Sequence, residues 1–162
     1  MKKNLLLIFF LIPFIAIGQK LATVTSIDSF VLKIENDPTL VRKVYDTVRY
    51  VKEDGGNRWD SLYNHREYFL KDGQLVKILA WNKYVGWRND MSSYYDNNKV
   101  VKFSKGESFE GTPDYGKLNF EIYYYQDKEI TVSWLTPKPN NVMGVATDMF
   151  LIWAYSLQKE TW

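Results

Sequence analysis

The sequence contains no cysteine and a single histidine, His65. Without cysteine there is no disulfide, no thiolate nucleophile and no thiol for lipid attachment. One histidine without cysteine also excludes the usual ligand sets of structural zinc. We therefore predict no metal site and no cofactor, and we expect the fold to be stabilised by packing.

Neither sign of charge is in excess once the N-terminus is set aside. The 21 Lys and Arg residues include Lys2 and Lys3, and without these two they number 19, equal to the 19 Asp and Glu residues. Nucleic acids and anionic membranes are usually bound through an excess or a patch of basic charge. The even balance therefore predicts no nucleic-acid partner.

An N-terminal apolar run indicates the cellular compartment of the protein. Two lysines precede the apolar stretch 5–17, which closes on the small residues Ala16 and Gly18. This layout is typical of a secretory signal peptide, and the run falls short of the roughly 20 residues that span a bilayer. We expect residues 1–18 to be removed before Gln19. The product would be a soluble periplasmic or extracellular protein without membrane insertion.

Residues 19–162 have the length of one domain, because domains commonly contain about 100–150 residues. Near its start, apolar residues recur at helical spacing over 27–34, with Ser26 as the predicted N-cap. Proline disfavours the helical conformation of the residue before it, so the pair Asp37-Pro38 ends this helix. The same pair predicts the start of a second short helix, through about Tyr45.

The C-terminal stretch also predicts a helix, within residues 142–159. Between Met149 and Leu157 only Ser156 is clearly polar. Such a helix is either buried on nearly all sides or contacts another chain, and we expect the first. Trp153 should then be among the most buried residues, and truncating it to alanine should cost about 3–5 kcal/mol.

Three segments, 68–78, 94–103 and 123–132, each combine an aromatic strand, a turn pair and an apolar strand. Together with alternating residues over 46–51, they predict an α+β fold with an antiparallel meander of about six to eight strands. We expect the two terminal helices to cover one face of this sheet. The predicted core consists of Phe30, Ile34, Val44, Val76, Ile78, Val101, Phe103, Phe120, Ile122, Val132, Trp134, Phe150 and Trp153.

The connection between the first two of these hairpins is the strongest candidate for binding. It carries Trp81, Tyr84 and Trp87 among polar residues and glycine, followed by Arg88 and Tyr94. Exposed aromatic side chains with polar neighbours bind sugars, peptides and proteins, because they bury a large area with few torsions to restrict. In the alternative interpretation, Trp81 and Trp87 belong to the core at the ends of two strands.

A catalytic role would require His65, oriented as a general base by Asp60 or Glu67. No nucleophile motif and no second histidine accompany it. The other acids considered for a catalytic pair are Glu107, Glu110 and Asp114. We therefore predict no catalytic residue.

Three functions remain as expectations. The first is an exported, non-catalytic domain that binds a protein partner, as an inhibitor or an immunity-type protein does, and that is itself a monomer. The second is glycan binding by the segment Trp81–Trp87. The third is a small hydrolase that uses His65 with a carboxylate.

Overall fold

The structure is a computed structural model and describes residues 23–52, 59–109, 118–138 and 144–160. The predicted signal peptide, residues 1–18, lies outside these ranges, as do Glu110 and Asp114. The elements are α1 (Val24–Glu35), β1 (Val41–Lys52), β2 (Trp59–Lys71), β3 (Gln74–Tyr84), β4 (Trp87–Asp96), β5 (Lys99–Phe109), β6 (Leu118–Tyr125), β7 (Lys128–Trp134) and α2 (Thr147–Gln158).

The seven strands form one antiparallel sheet in which each strand pairs with its neighbours in sequence. This confirms the predicted meander. Four two-residue turns have positive φ at both positions, which gives type I′ geometry. Three of them, at Asp72-Gly73, Asn97-Asn98 and Gln126-Asp127, are the predicted hairpin turns. The fourth, Val85-Gly86, shows that the predicted connection from Trp81 onwards is a hairpin of β3 and β4.

The three predicted hairpins also share a β-bulge. In each, one residue is skipped in the pairing, three positions after the second turn residue: Val76, Val101 and Ile130. A bulge places two successive residues on about the same side of a strand. As a result Lys77 and Lys102, which follow the first two bulges, lie on the same face of the sheet as the bulged valines.

The two helices lie on opposite faces of the sheet, so the expectation that both cover one face was wrong. Buried residues around α2 include Tyr95 and Val100, whereas their sequence neighbours Tyr94 and Val101 pack with α1. Successive residues of a strand point to opposite faces. Because these central strands carry apolar side chains on both faces, a separate helix packs on each face and buries them.

Two local predictions about the N-terminal region were also wrong. The N-cap of α1 is Thr23, whose hydroxyl accepts the N–H of Ser26, and Ser26 is the third helical residue of a capping box. The helix ends at Asn36, as expected. The second short helix is absent: Asp37 accepts the N–H of Thr39 and a bond from Lys71, and the chain continues as β1.

Most of the predicted core is buried, with one clear error. Ile34, Ile78, Val101, Phe103, Phe120 and Ile122 are buried, whereas Phe30, Val76, Val132, Trp134, Phe150 and Trp153 are partly buried. Val44 is 44% exposed because β1 is an edge strand that no helix covers.

Helix α2 is anchored differently from our expectation. Ala154 and Leu157 are its buried residues, Trp153 is only half-buried, and Met149 and Ile152 are 57% and 70% exposed. The helix is therefore buried on one side. Neither described helix has the length and apolarity needed to span a membrane.

Candidate functional site

Helix α1 covers only one end of its sheet face. It crosses a row of side chains that are neighbours in register: Phe69, Lys77, Tyr94, Lys102 and Tyr123. Glu35 of α1 binds Lys77 and Tyr94, while Asp28 binds Lys102 and Tyr123. Tyr94, one of the predicted binding residues, is only 8% exposed and holds this helix.

Beyond α1 the same face is open and forms a groove of about 680 Å³, which we call the sheet groove. Ser92, Ser104 and Gly106 lie on this face in the central strands β4 and β5 and form the floor. His65 and Trp81 stand on the side towards β1, and Asn119 lies on the side towards β7. These three residues are small, and period-two alternation places them on one face together with Asp90, which is opposite Gly106 in β4.

Trp81 stands in the groove wall with both faces of its indole in contact with the protein. The His65 ring stacks on it with centroids 5.2 Å apart and planes at 17°. The Arg88 guanidinium lies 4.8 Å from the Trp81 centroid. Since β2 and β4 flank β3, the imidazole and the guanidinium approach the indole from opposite sides. The structure thus brings two predicted binding residues, Trp81 and Arg88, into one stack.

Tyr84 and Trp87 lie elsewhere. They pair across the Val85-Gly86 turn and point to the face opposite Trp81. Trp87 is 44% exposed and Tyr84 is half-buried. The five predicted binding residues therefore occupy three places, because the segment is a hairpin whose alternation separates residues that a loop would have gathered.

Both ring nitrogens of His65 contact a carboxylate. Its Nδ1 lies 2.6 Å from Asp46 Oδ1, and its Nε2 lies 2.7 Å from Glu67 Oε1. Bonding to Glu67, and then to Asp46, raises the pKa of His65 despite partial burial. Glu67 is a predicted partner; Asp46 is new, and Asp60 accepts the N–H of Ser61 instead. Because each ring nitrogen already has a carboxylate partner, neither is open to a bound molecule as a general base.

A wider network holds this histidine. Arg42 donates two bonds of 2.6 Å to Glu67, and these bonds are the main reason that the pKa of Glu67 falls to about 2. Sequence reasoning missed Arg42 because it assigned residues up to about Tyr45 to a helix, and it missed Asp46 because the pairing of this strand with the segment of His65 was not predicted. Their alternation with Val44 at period two was the signal that would have placed them on one strand face.

The other cation beside the groove, Arg88, is also paired and binds Asp90 at 2.8–3.0 Å. Lys105 and Glu107 flank Gly106 in β5 and point to the opposite face of the sheet, where Lys105 binds Glu107 and lies over Phe150 of α2. Glu107 therefore has a lysine partner, which is not the arrangement of a free acid in a catalytic pair. No group of three or more acidic or histidine side chains suited to a metal ion occurs among the residues that the structure describes.

Comparison with protein-family models, with curated proteins and with solved structures found no match for this chain.

Proposed function

We propose that this protein is an exported, non-catalytic binding domain and that its sheet groove holds a segment of a partner protein. The groove itself is the observation that carries the proposal. It offers about 680 Å³ on a sheet face, with small side chains in its floor and with Trp81 and Arg88 stacked together at its side. Tryptophan and arginine are enriched at protein interfaces, and a preorganised side chain loses little entropy on binding.

The pairing of the charged side chains favours binding over catalysis. Both ring nitrogens of His65 already contact a carboxylate, and Arg88 binds Asp90. Charged side chains in such pairs are fixed in orientation and can form hydrogen bonds to a bound segment. A hydrolase built on His65 would need an imidazole nitrogen free to accept a proton.

The contacts of Trp81 favour a protein partner over a glycan. A sugar ring binds tryptophan by lying on one face of the indole, and His65 and Arg88 occupy both faces of Trp81. Trp87 lies on the opposite side of the sheet, so the two tryptophans form no common platform.

Gly106 allows the groove to be filled without strain in the backbone. A Cβ atom at this position would meet no atom closer than 3.9 Å. In Gly106→Phe, the added ring would occupy the floor of the groove. Glu129→Phe, at an exposed site on β7, is the matched control because it adds a ring outside the groove.

The test is affinity isolation from the native cell envelope, with tagged wild type and both variants. We expect one protein at near-stoichiometric yield with wild type and Glu129→Phe, and its loss with Gly106→Phe. Thermal unfolding would verify that Gly106→Phe is folded. Recovery of the same partner at an equal yield with Gly106→Phe would contradict the proposal, as would the absence of any stoichiometric partner.

Export has its own test. The intact mass of the protein outside the inner membrane should correspond to a chain that begins at Gln19. A species that retains residues 1–18 there would contradict the expected cleavage.

A further inference from the structure

β1 is a long and regular edge strand. Among the described residues it pairs only with β2, over twelve residues and in unbroken register, and all twelve are exposed. It contains no proline and no bulge. An edge strand presents unpaired N–H and C=O groups that favour pairing with a further strand, and short length, bulges or proline normally prevent this.

The other edge of the sheet has such protection. β7 has seven residues, and Ile130 is skipped in its pairing with β6. The two edges therefore differ in length and regularity. If an additional strand binds, the geometry favours β1.

The side chains of β1 combine apolar surface with positive charge. Its exposed apolar residues, between 38% and 73% accessible, are Val41, Val44, Tyr45, Val48, Tyr50 and Val51. Its charged residues are Arg42, Lys43, Arg49 and Lys52 against a single acid, Asp46. Arg49 and Lys52 form no ion pair with any residue within the described ranges.

This charge distribution identifies the kind of strand that fits. A second copy of β1 would bring four basic residues against four basic residues, and like charges on adjacent strands are destabilising. Arg49 and Lys52 are three positions apart and therefore lie on opposite faces of β1. A strand that carries carboxylates on both of its faces, with apolar residues between them, would pair with both cations and cover the valines.

We propose that the free edge of β1 binds an acidic, extended segment of a partner protein by β-strand addition. The backbone bonds would supply affinity, and the basic side chains would select the acidic sequence. The edge and the sheet groove contain different residues, so each can be disrupted without the other.

The test uses the purified protein and a fluorescent peptide of about eight residues in which glutamates three positions apart are separated by valines, so that carboxylates lie on both faces of the strand. We expect saturable binding that weakens when the salt concentration rises and screens the charges. The double variant Arg49→Glu/Lys52→Glu should bind about tenfold or more weakly. Lys128→Glu, which makes one such charge reversal at the exposed edge of β7, should bind as wild type does. A peptide with lysine in place of glutamate should not bind.

Hydrogen exchange gives the structural readout. Peptide binding should slow the exchange of those β1 amides that do not bond to β2, with no such change in β7. Four results would overturn the proposal: no binding of the acidic peptide, equal binding of the lysine peptide, equal loss in Lys128→Glu, or protection confined to β7. A wild-type dimer in sedimentation that is lost in Arg49→Glu/Lys52→Glu would assign the edge to a second copy and also overturn it.

Discussion

At the scale of single residues, the role of His65 is decided by its neighbours on adjacent strands. In sequence it is an isolated histidine beside Glu67. In the sheet it lies between Asp46 and Glu67 and stacks on Trp81. Two carboxylates stabilise the charged form of the ring, so this histidine acts as a cation that connects two strands and one wall of the groove.

His65→Gln should change how stability depends on pH. The folded-state pKa of His65 is raised above its ordinary value of 6.5, mainly by Glu67. The contribution of His65 to the free energy of unfolding is therefore fully present below pH 6.5, and it is lost as the pH rises through the pKa of the folded state. Above pH 6.5 the free energy of unfolding of wild type should therefore fall, whereas that of His65→Gln should change less with pH. Urea unfolding at several pH values measures both curves.

The acid range provides an internal control for this comparison. Glu67 has a pKa lowered to about 2, chiefly by Arg42, so its contribution is lost as the pH falls from 4.5 towards 2. Both proteins should retain this acidic loss. Parallel curves for wild type and His65→Gln above pH 6.5 would show that the histidine is not preferentially protonated in the folded protein.

At the scale of elements, α1 is held to the sheet by charged contacts as well as by Ile27 and Ile34. Asp28 and Glu35 are seven residues apart, which is about 10.5 Å along a helix. The lysines that they bind lie two strands apart, about 9.6 Å across a sheet. The helix therefore crosses the strands, and each acid meets one buried lysine, Lys102 or Lys77.

A double-mutant cycle on Lys102 and Glu121 should show strong coupling. Lys102 is buried, and its bonds to Glu121, Tyr123 and Asp28 outweigh burial and raise its pKa. Lys102→Met and Glu121→Gln should therefore be coupled by about 1–3 kcal/mol in urea unfolding, because each change alone leaves a poorly solvated partner.

The exposed pair Arg88 and Asp90 is the matched control for this cycle. Their side chains are 44% and 50% accessible, and water screens their attraction. Arg88→Met and Asp90→Asn should be coupled by about 1 kcal/mol or less. Equal coupling in the two pairs would contradict the view that burial sets the strength of the ion pair between Lys102 and Glu121.

At the scale of the whole molecule, the sheet separates two hydrophobic cores. One is built around α2, with Phe103, Phe120 and Leu157, and the other around α1, with Ile27 and Ile34. The arrangement follows from central strands that carry apolar residues on both faces. Each terminal helix supplies the cover for one face.

Substitutions in the two cores should have additive effects on stability. Ile27→Val should cost about 0.5–1.5 kcal/mol and Leu157→Ala about 2–5 kcal/mol, because both side chains are buried. The double variant should cost their sum within about 0.5 kcal/mol, because the residues belong to different cores and share no neighbours. Urea unfolding of the three variants measures this.

The exposed residue Ile152 tests the assignment of the buried side of α2. Ile152→Ala should change the free energy of unfolding by only about 0.5 kcal/mol, because this side chain is 70% exposed. A loss as large as that of Leu157→Ala would show that the helix is also covered on its outer side.

For the two cores, a coupling above about 1 kcal/mol between Ile27→Val and Leu157→Ala would show that they are not independent.

The sequence alone determined the features that depend on neighbouring residues. Turn pairs such as Asp72-Gly73 and Asn97-Asn98 tolerate positive φ, and alternating strands flank them. These local signals were sufficient for the meander and for both terminal helices. They also identified His65, Trp81 and Arg88 as residues of interest, although not their arrangement.

The tertiary structure decided the features that depend on pairing and on the face of the sheet. Residues 41–45 form a strand because they pair with residues 66–70 of β2. Tyr94 became buried and Trp87 was separated from Trp81, because register and bulges assign each side chain to a face. Such assignments depend on contacts between residues far apart in sequence, and local propensity contains no information about them.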